Sequence, residues 1–268
     1  MWRFSTSTQL SFIQRFYSQN YFSPYASAFG ENSRVQNESG FTLQVDADHV
    51  LGMSLRAFLD YFYSPWPRYT MSRSSDGWEG MVQTTYSPHR GRSLVLRYSI
   101  KSKEQNDLRY FSHRLRATYS HTFNARWSAQ ISAFLHHTWK EASAAVPDAS
   151  ASVRSTGYAL VPRADFTSRS QFLRFSLFGA LFRTTDFDSR LYLYEPSLLQ
   201  TYGMQQLYGR GQRIGSTLRL RTKDSRWTAQ IKVGVTHYTD RDEISTGFLR
   251  IDSPWKADVQ MLMRFFLK

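Results

Sequence analysis

The peptide RWSAQISAFLHH begins at Arg126, and a near copy, RWTAQIKVGVTH, begins at Arg226. In the first, Trp127, Ala129, Ile131, Ala133 and Leu135 share one parity, and Ser128, Gln130, Ser132, Phe134 and His136 share the other. In the second, Trp227, Ala229, Ile231, Val233 and Val235 oppose Thr228, Gln230, Lys232, Gly234 and Thr236. Side chains that alternate with period two mark an extended strand with one apolar and one polar face. Globular strands usually run to about 5–6 residues, whereas a strand that spans a bilayer needs about 9–11. The long alternation in both copies points to the second kind.

The same alternation places strands at roughly 3–16, 41–48, 53–63, 78–87, 93–103, 108–122, 127–140, 156–167, 172–186, 211–222, 227–240 and 256–268. The segment 172–183 is the least regular, with Phe on both parities. The connections then sort by length. Those at 49–52, 88–92, 123–126, 168–171 and 223–226 are short; those at 18–40, 64–77, 141–155, 187–210 and 241–255 are long, and only 104–107 breaks the pattern. Short turns on one rim and long loops on the other are the arrangement of outer-membrane barrels, with the short turns toward the periplasm. Trp127 and Trp227 then lie at the lower interface, where an amphipathic ring is favoured.

The expected fold is therefore all-β: an antiparallel up-and-down transmembrane β-barrel with about twelve strands, one domain over 1–268, alone or within a larger barrel. The expected location is the bacterial outer membrane, with its lipid as the first partner. A soluble β-sandwich is the competing class. Composition is compatible with the membrane reading. No apolar run reaches the ~18 residues of a membrane helix, the mean hydropathy of −0.49 is what alternating strands average to, and the start of the chain does not read as a signal peptide. There is no cysteine, so disulfides and thiolate metal sites are excluded. The net charge of +13 leaves nucleic acid or an anionic surface open as partners.

Loop motifs add a resemblance. ENSRVQNESG at 31–40, SPWPRY at 64–69, SDGWE at 75–79, DFDSRLYLYE at 186–195, YGRGQR at 208–213, YTDRDEISTG at 238–247 and IDSPWKADVQMLMRF at 251–265 together resemble the C-terminal β-barrel region of helix-hairpin-helix (ComEA-like) outer-membrane proteins of Bacteroidota. The resemblance implies that the chain corresponds to the C-terminal part of a longer protein. It also implies an outer-membrane channel or anchor linked to nucleic-acid uptake through an upstream helix-hairpin-helix region. The alternative is a non-conducting scaffold subunit with outer-membrane or periplasmic protein partners.

Two groups of residues are candidates for function. At the long-loop rim, Asp186 and Asp188, Asp240 and Asp242, Glu195, Arg210, Arg213 and Arg241 are expected to converge. They form either a charge ladder that pins the loops, a divalent-cation site built on carboxylate oxygens, or a ligand or partner site. On the polar face, Arg97, Arg114, Arg116, Arg174, Arg219, Arg221, Lys232 and Arg264 make a basic lumen. It is either balanced by internal hydrogen bonds or open to anions. The 187–210 loop, rich in Tyr and Leu, either folds inward as a plug or offers an apolar patch to a partner. The loop at 142–155 reads as small, polar and mobile. No HExxH, GxSxG, P-loop or CxxC motif occurs. His237 beside Asp240 and Asp242 is the one acid–base grouping, and His237 lies on the apolar parity, so no enzymatic activity and no cofactor are expected.

Overall fold

The computed structural model describes residues 2–3, 7–23, 29–31, 36–50, 52–69, 71–106, 108–142, 153–222, 224 and 226–266. The loop expectation for 142–155 falls largely outside them. The chain is all-β and antiparallel. After a two-residue β1 (Trp2–Arg3) come β2 (Thr8–Tyr17), β3 (Glu38–Val50), β4 (Met53–Ser64), β5 (Ser75–Tyr86), β6 (Arg92–Gln105), β7 (Leu108–Thr122), β8 (Trp127–Ala142), β9 (Arg154–Thr167) and β10 (Leu173–Thr184). The short β11 (Leu191–Tyr194) and β12 (Met204–Leu207) follow, then β13 (Arg210–Arg221), β14 (Trp227–Tyr238) and β15 (Trp255–Phe265).

Thirteen strands form one sheet in the order β1 to β10, then β13, β14 and β15; β11 and β12 pair only with each other. This is the up-and-down meander that the alternation predicts, with twelve long strands (β2–β10 and β13–β15). By internal contacts the chain divides into two units. The first comprises Met1–Tyr86, Val95–Leu115 and His137–Arg154; the second comprises Ser87–Leu94, Arg116–His136 and Ser155–Lys268.

The two faces of the strands carry the reverse of a soluble pattern, in which the apolar side is buried and the polar side faces water. Along β14, Thr228, Gln230, Lys232 and Thr236 are buried, while Ile231 is exposed and Val233 and Val235 are half-buried. On β4, Asp60 and Ser64 are buried, and Leu59 and Tyr63 are exposed. Leu181 and Ile214 are more than half exposed, whereas Arg213 is 3% exposed. Aromatic pairs line the apolar face: the exposed Phe12 stacks on the exposed Phe41, and the exposed Trp127 lies tilted beside the half-buried Phe166.

The irregular segment resolves by parity. Leu173, Phe175, Leu177 and Leu181 of β10 share the exposed parity, and Phe178 and Phe182 turn to the buried face. Two glycines make room for them across the ladder. Phe178 pairs with Gly215 and Phe182 with Gly211. A Cβ on Gly215 would lie 2.3 Å from the Phe178 ring and 2.8 Å from the Val233 carbonyl. A ring laid over a strand glycine covers backbone that would otherwise be bare.

The two copies of the repeated peptide leave turns with similar chemistry. Asn124 Oδ1 accepts from the amides of Arg126 (2.8 Å) and Trp127 (3.0 Å). Asp224 Oδ1 accepts from the Arg226 amide (3.2 Å), and Thr222 Oγ1 accepts from the Trp227 amide (3.1 Å). Asx side chains that bond a backbone group two residues on mimic a turn, so each copy is the start of a strand leaving such a turn. The Phe–Gly pairing carries a prediction. Gly215→Ala should destabilise the protein by about 1–3 kcal/mol, the range for overpacking a filled site. Phe178→Ala in the same background should recover part of that loss, measured by urea unfolding in detergent.

Candidate functional site

The 187–210 connection is not an open loop. β11 and β12 form a hairpin, with Leu191 opposite Leu207 and Tyr194 opposite Met204. The hairpin lies on the buried face of the second unit. Leu191, Leu193 and Leu207 join Ala159, Ala180, Phe182, Tyr238 and Ile244 in one apolar cluster. Leu198, near the tip, is 3% exposed. The base is tied by the Gly209 amide, which donates to Thr184 Oγ1 (2.8 Å), and by His136 Nδ1, 3.1 Å from the Arg190 carbonyl.

At the centre stands Glu195, just past β11. Its carboxylate accepts from Arg213 Nε (2.5 Å) and Nη2 (3.1 Å) and lies 3.0 Å from Lys232 Nζ. Arg213 Nη1 also reaches Asp258 Oδ1 (2.8 Å) and Thr236 Oγ1 (2.8 Å). The side chains of Arg213 and Lys232 are 1% and 2% exposed. Two cations and two carboxylates thus cancel inside the protein. Such burial is tolerated only when both charges and hydrogen bonds are satisfied. One step further along β14, the Leu199 amide donates to Gln230 Oε1 (3.0 Å), which fixes the depth of the tip.

The single rim cluster expected from the sequence separates into three arrangements. Glu195 and Arg213 enter the buried network with Lys232, which the sequence places in the basic set instead. Asp240 and Arg241 pair with each other at 2.9 Å, and the Arg241 guanidinium lies over the rings of Tyr208 (4.6 Å) and Tyr238 (4.7 Å). Gly209, at φ +85°, leaves space there; a Cβ would sit 1.9 Å from Arg241 Nη2. Asp186 accepts from Ser155 Oγ (2.5 Å) and from the Asp188 amide (2.8 Å), so it shapes the entry to the hairpin. Arg210 does not join. It shares the exposed parity of Gln212 and Ile214 and stands opposite Arg183. Asp242 is exposed beyond the end of β14, because that strand stops at Tyr238 rather than running to 240. No group of three His or acidic residues suited to a metal occurs among the described residues.

The basic set also divides. Arg97 and Arg114 are exposed. Arg116 lies over the Phe134 ring (5.1 Å). The charges of Arg174, Arg221 and Arg264 all act on Arg219 near the short turns of the second unit. In the first unit, sequence parity does not single out the main ion pairs. Arg15 bonds Glu38 (2.8 Å) and both oxygens of Asp60 (2.6 and 2.9 Å). Lys101 reaches Glu31 (2.6 Å) and Glu79 (3.0 Å). Glu31 belongs to the first long connection, so a loop carboxylate meets a strand cation there as well.

No family model matches the chain, and no curated protein matches it. Among solved structures, it is similar to the copper transporter OprC at a TM-score of 0.46 and 11% identity, over 95% of this chain and 41% of that one. The chain thus spans well under half of that protein.

Two predictions follow from the charges. Glu195→Ala leaves two buried cations with Asp258 alone and should cost about 3–5 kcal/mol, the range for breaking a buried ion pair; the hairpin tip should become cleavable by added protease. At the rim, burial alone would raise the Asp240 carboxyl, but the Arg241 hydrogen bond and charge outweigh it and hold Asp240 below the usual carboxylate range. This contribution is full above the unfolded value of about 3.9 and is lost as pH falls through the lowered folded value. Acid titration followed by Tyr208 fluorescence should show a rim transition below about pH 4 that Arg241→Gln abolishes.

Proposed function

We propose that this protein is an outer-membrane β-barrel protein that acts as a membrane anchor or scaffold, with its own hairpin seated on the interior face. One observation carries the membrane reading: the exposed parity of the long strands is mostly apolar and the buried parity mostly polar, Phe62, Phe178 and Phe182 being exceptions on the buried side. In water such a sheet would expose large hydrophobic strips, which soluble monomers rarely do. In lipid the same sheet is favoured, and its backbone groups are satisfied by the ladder. The alternation of short turns and long connections supports placing the short turns toward the periplasm.

The seated hairpin favours the anchor over the channel. Leu191, Leu193, Leu198 and Leu207 cover inner-face surface that a pore would keep wet, and Glu195 locks them there. The loop motifs that resemble helix-hairpin-helix outer-membrane proteins fit the same role, with the barrel as support for a module carried elsewhere. A link to nucleic acid rests on that resemblance alone.

The test is refolding in detergent micelles followed by planar-bilayer recording. The expected protein shows a β spectrum and heat-modifiable gel migration, inserts, and gives no steady conductance. A variant lacking 190–208 should insert and conduct. Steady conductance by the unaltered chain would replace the anchor with the channel, and a soluble monomer without detergent would remove the membrane reading.

A further inference from the structure

Below the hairpin tip, toward the short turns, the buried face of the second unit changes character. Arg174 on β10 stands directly opposite Arg219 on β13. Arg219 is opposite Gln230 on β14, Arg221 is opposite Thr228, and Thr228 is opposite Arg264 on β15. Directly opposed residues on neighbouring strands have Cβ atoms about 4.5–5.5 Å apart, and like charges so placed repel. Arg174, Arg219 and Arg264 thus bring three guanidinium groups to one patch of four strands, with Arg221, which has interactions of its own, at its edge.

The nearby carboxylates are occupied elsewhere. Asp165 on β9 is held by Arg163 (2.8 Å) and by Ser176 Oγ (2.5 Å). Glu195 and Asp258 belong to the Arg213 network. Asp224, in the turn, bonds Thr222 and pairs with Arg226. Meanwhile three buried polar atoms in the patch have no hydrogen-bond partner: Thr228 Oγ1, Gln230 Nε2 and Arg264 Nε. Thr228 is 1% and Gln230 6% exposed. All three can donate, and two can only donate. Buried donors are nearly always satisfied, by protein, water or a ligand, so these three atoms call for acceptors. Arg174 is exposed and forms the accessible side of the patch.

We propose that Arg174, Arg219 and Arg264, with the Thr228 hydroxyl and the Gln230 amide, bind a phosphate-class oxyanion. Such an ion offers acceptor oxygens in several directions and suits planar guanidinium groups, which bind it through paired charge-assisted hydrogen bonds. The Gln230 side chain bridges this site to the hairpin, because its Oε1 holds the Leu199 amide and its Nε2 is the free donor. An anion that orders Gln230 also orders the tip. The inference goes beyond the anchor role and does not depend on conductance.

The experiment uses the full chain refolded in detergent and follows thermal unfolding against inorganic phosphate, with chloride at equal ionic strength as control. Phosphate should raise the midpoint saturably and chloride should not. Arg219→Gln should weaken the apparent affinity by about 10-fold or more, the effect of losing a charge-assisted hydrogen bond, while Arg250→Gln in a surface loop should leave it unchanged. Arg174→Gln, at the exposed edge, serves where Arg219→Gln does not refold. An equal response to chloride, or an unchanged response in both patch variants, overturns the site. Tight binding of a single-stranded oligonucleotide without a response to inorganic phosphate overturns it in favour of a polyanion track. Heat-modifiable migration of the same samples reports separately on the membrane reading.

Discussion

Each residue of the long strands is committed to one of two faces by its parity, and the rest of the structure depends on that commitment. A slip of one residue in any pair would exchange the faces of the whole strand. Lys232 and Thr228 would then leave the interior, and Ile231 and Val233 would enter it. The registers are continuous where the cost of a slip is greatest. β14 pairs without a break with β13 from Thr228 to Tyr238 and with β15 from Trp227 to His237. The Phe178–Gly215 and Phe182–Gly211 pairs pin β10 against β13 in the same way, because each ring fits only where its partner lacks a Cβ.

Once the polar parity is turned inward, its charges must be balanced there, and loops supply what the strands lack. Arg213 has one strand carboxylate, Asp258, and obtains its second from Glu195 of the hairpin. Lys101 has Glu79 on the adjacent strand and obtains Glu31 from the first long connection. In both units a loop is drawn onto the buried face by an ion pair whose desolvation is offset by further hydrogen bonds. The apolar cluster around Leu193 then adds burial. Charge fixes where the hairpin sits, and apolar area helps hold it there.

The strands were legible because period two is a local signal. Eleven of the twelve long strands fall where the alternation places them, with ends that move by a few residues: β5 begins at Ser75 rather than 78, and β14 ends at Tyr238 rather than 240. The first, expected as one strand over 3–16, is divided, because Trp2 and Arg3 fold back antiparallel on Leu10 and Gln9 of a strand that begins at Thr8. β11 and β12 were harder to see. Four residues, LYLY, do alternate, but so short a run inside a connection resembles chance. The site was legible in part. Glu195 and Arg213 stand out as charges near the rim, yet their partners Lys232 and Asp258 follow only from the register of three strands, which no single segment encodes. Arg210 misleads because it lies close to Arg213 in sequence, yet three residues apart means opposite parity, which sends it to the opposite face. Arg15, at a single buried position among the exposed Phe12, Ile13 and Phe16, carries no local mark of its role.

The ion pairs are not spread evenly along the strands. Glu38, Asp60, Asp76 and Glu79 lie in the halves of their strands next to the long connections, Glu104 lies beside the short β6–β7 connection on the same rim, and Glu195 is lowered into that half from above, whereas Asp46 and Asp165 pair with Arg56 and Arg163 in the opposite halves. Arg174, Arg219 and Arg264 lie at the opposite ends, near the short turns. The net charge of +13 is therefore not a diffuse property of the surface. Part of it is concentrated where no loop descends to neutralise it. A hairpin long enough to reach Gln230 stops one step short of the arginines. A carboxylate at its tip could have balanced them, as Glu195 balances Arg213, but the tip offers Leu198 and Leu199 instead. Excess cations left beside buried, unpartnered donors are costly unless an anion joins them. The same electrostatic rule that seats the hairpin thus favours an anion beside these arginines.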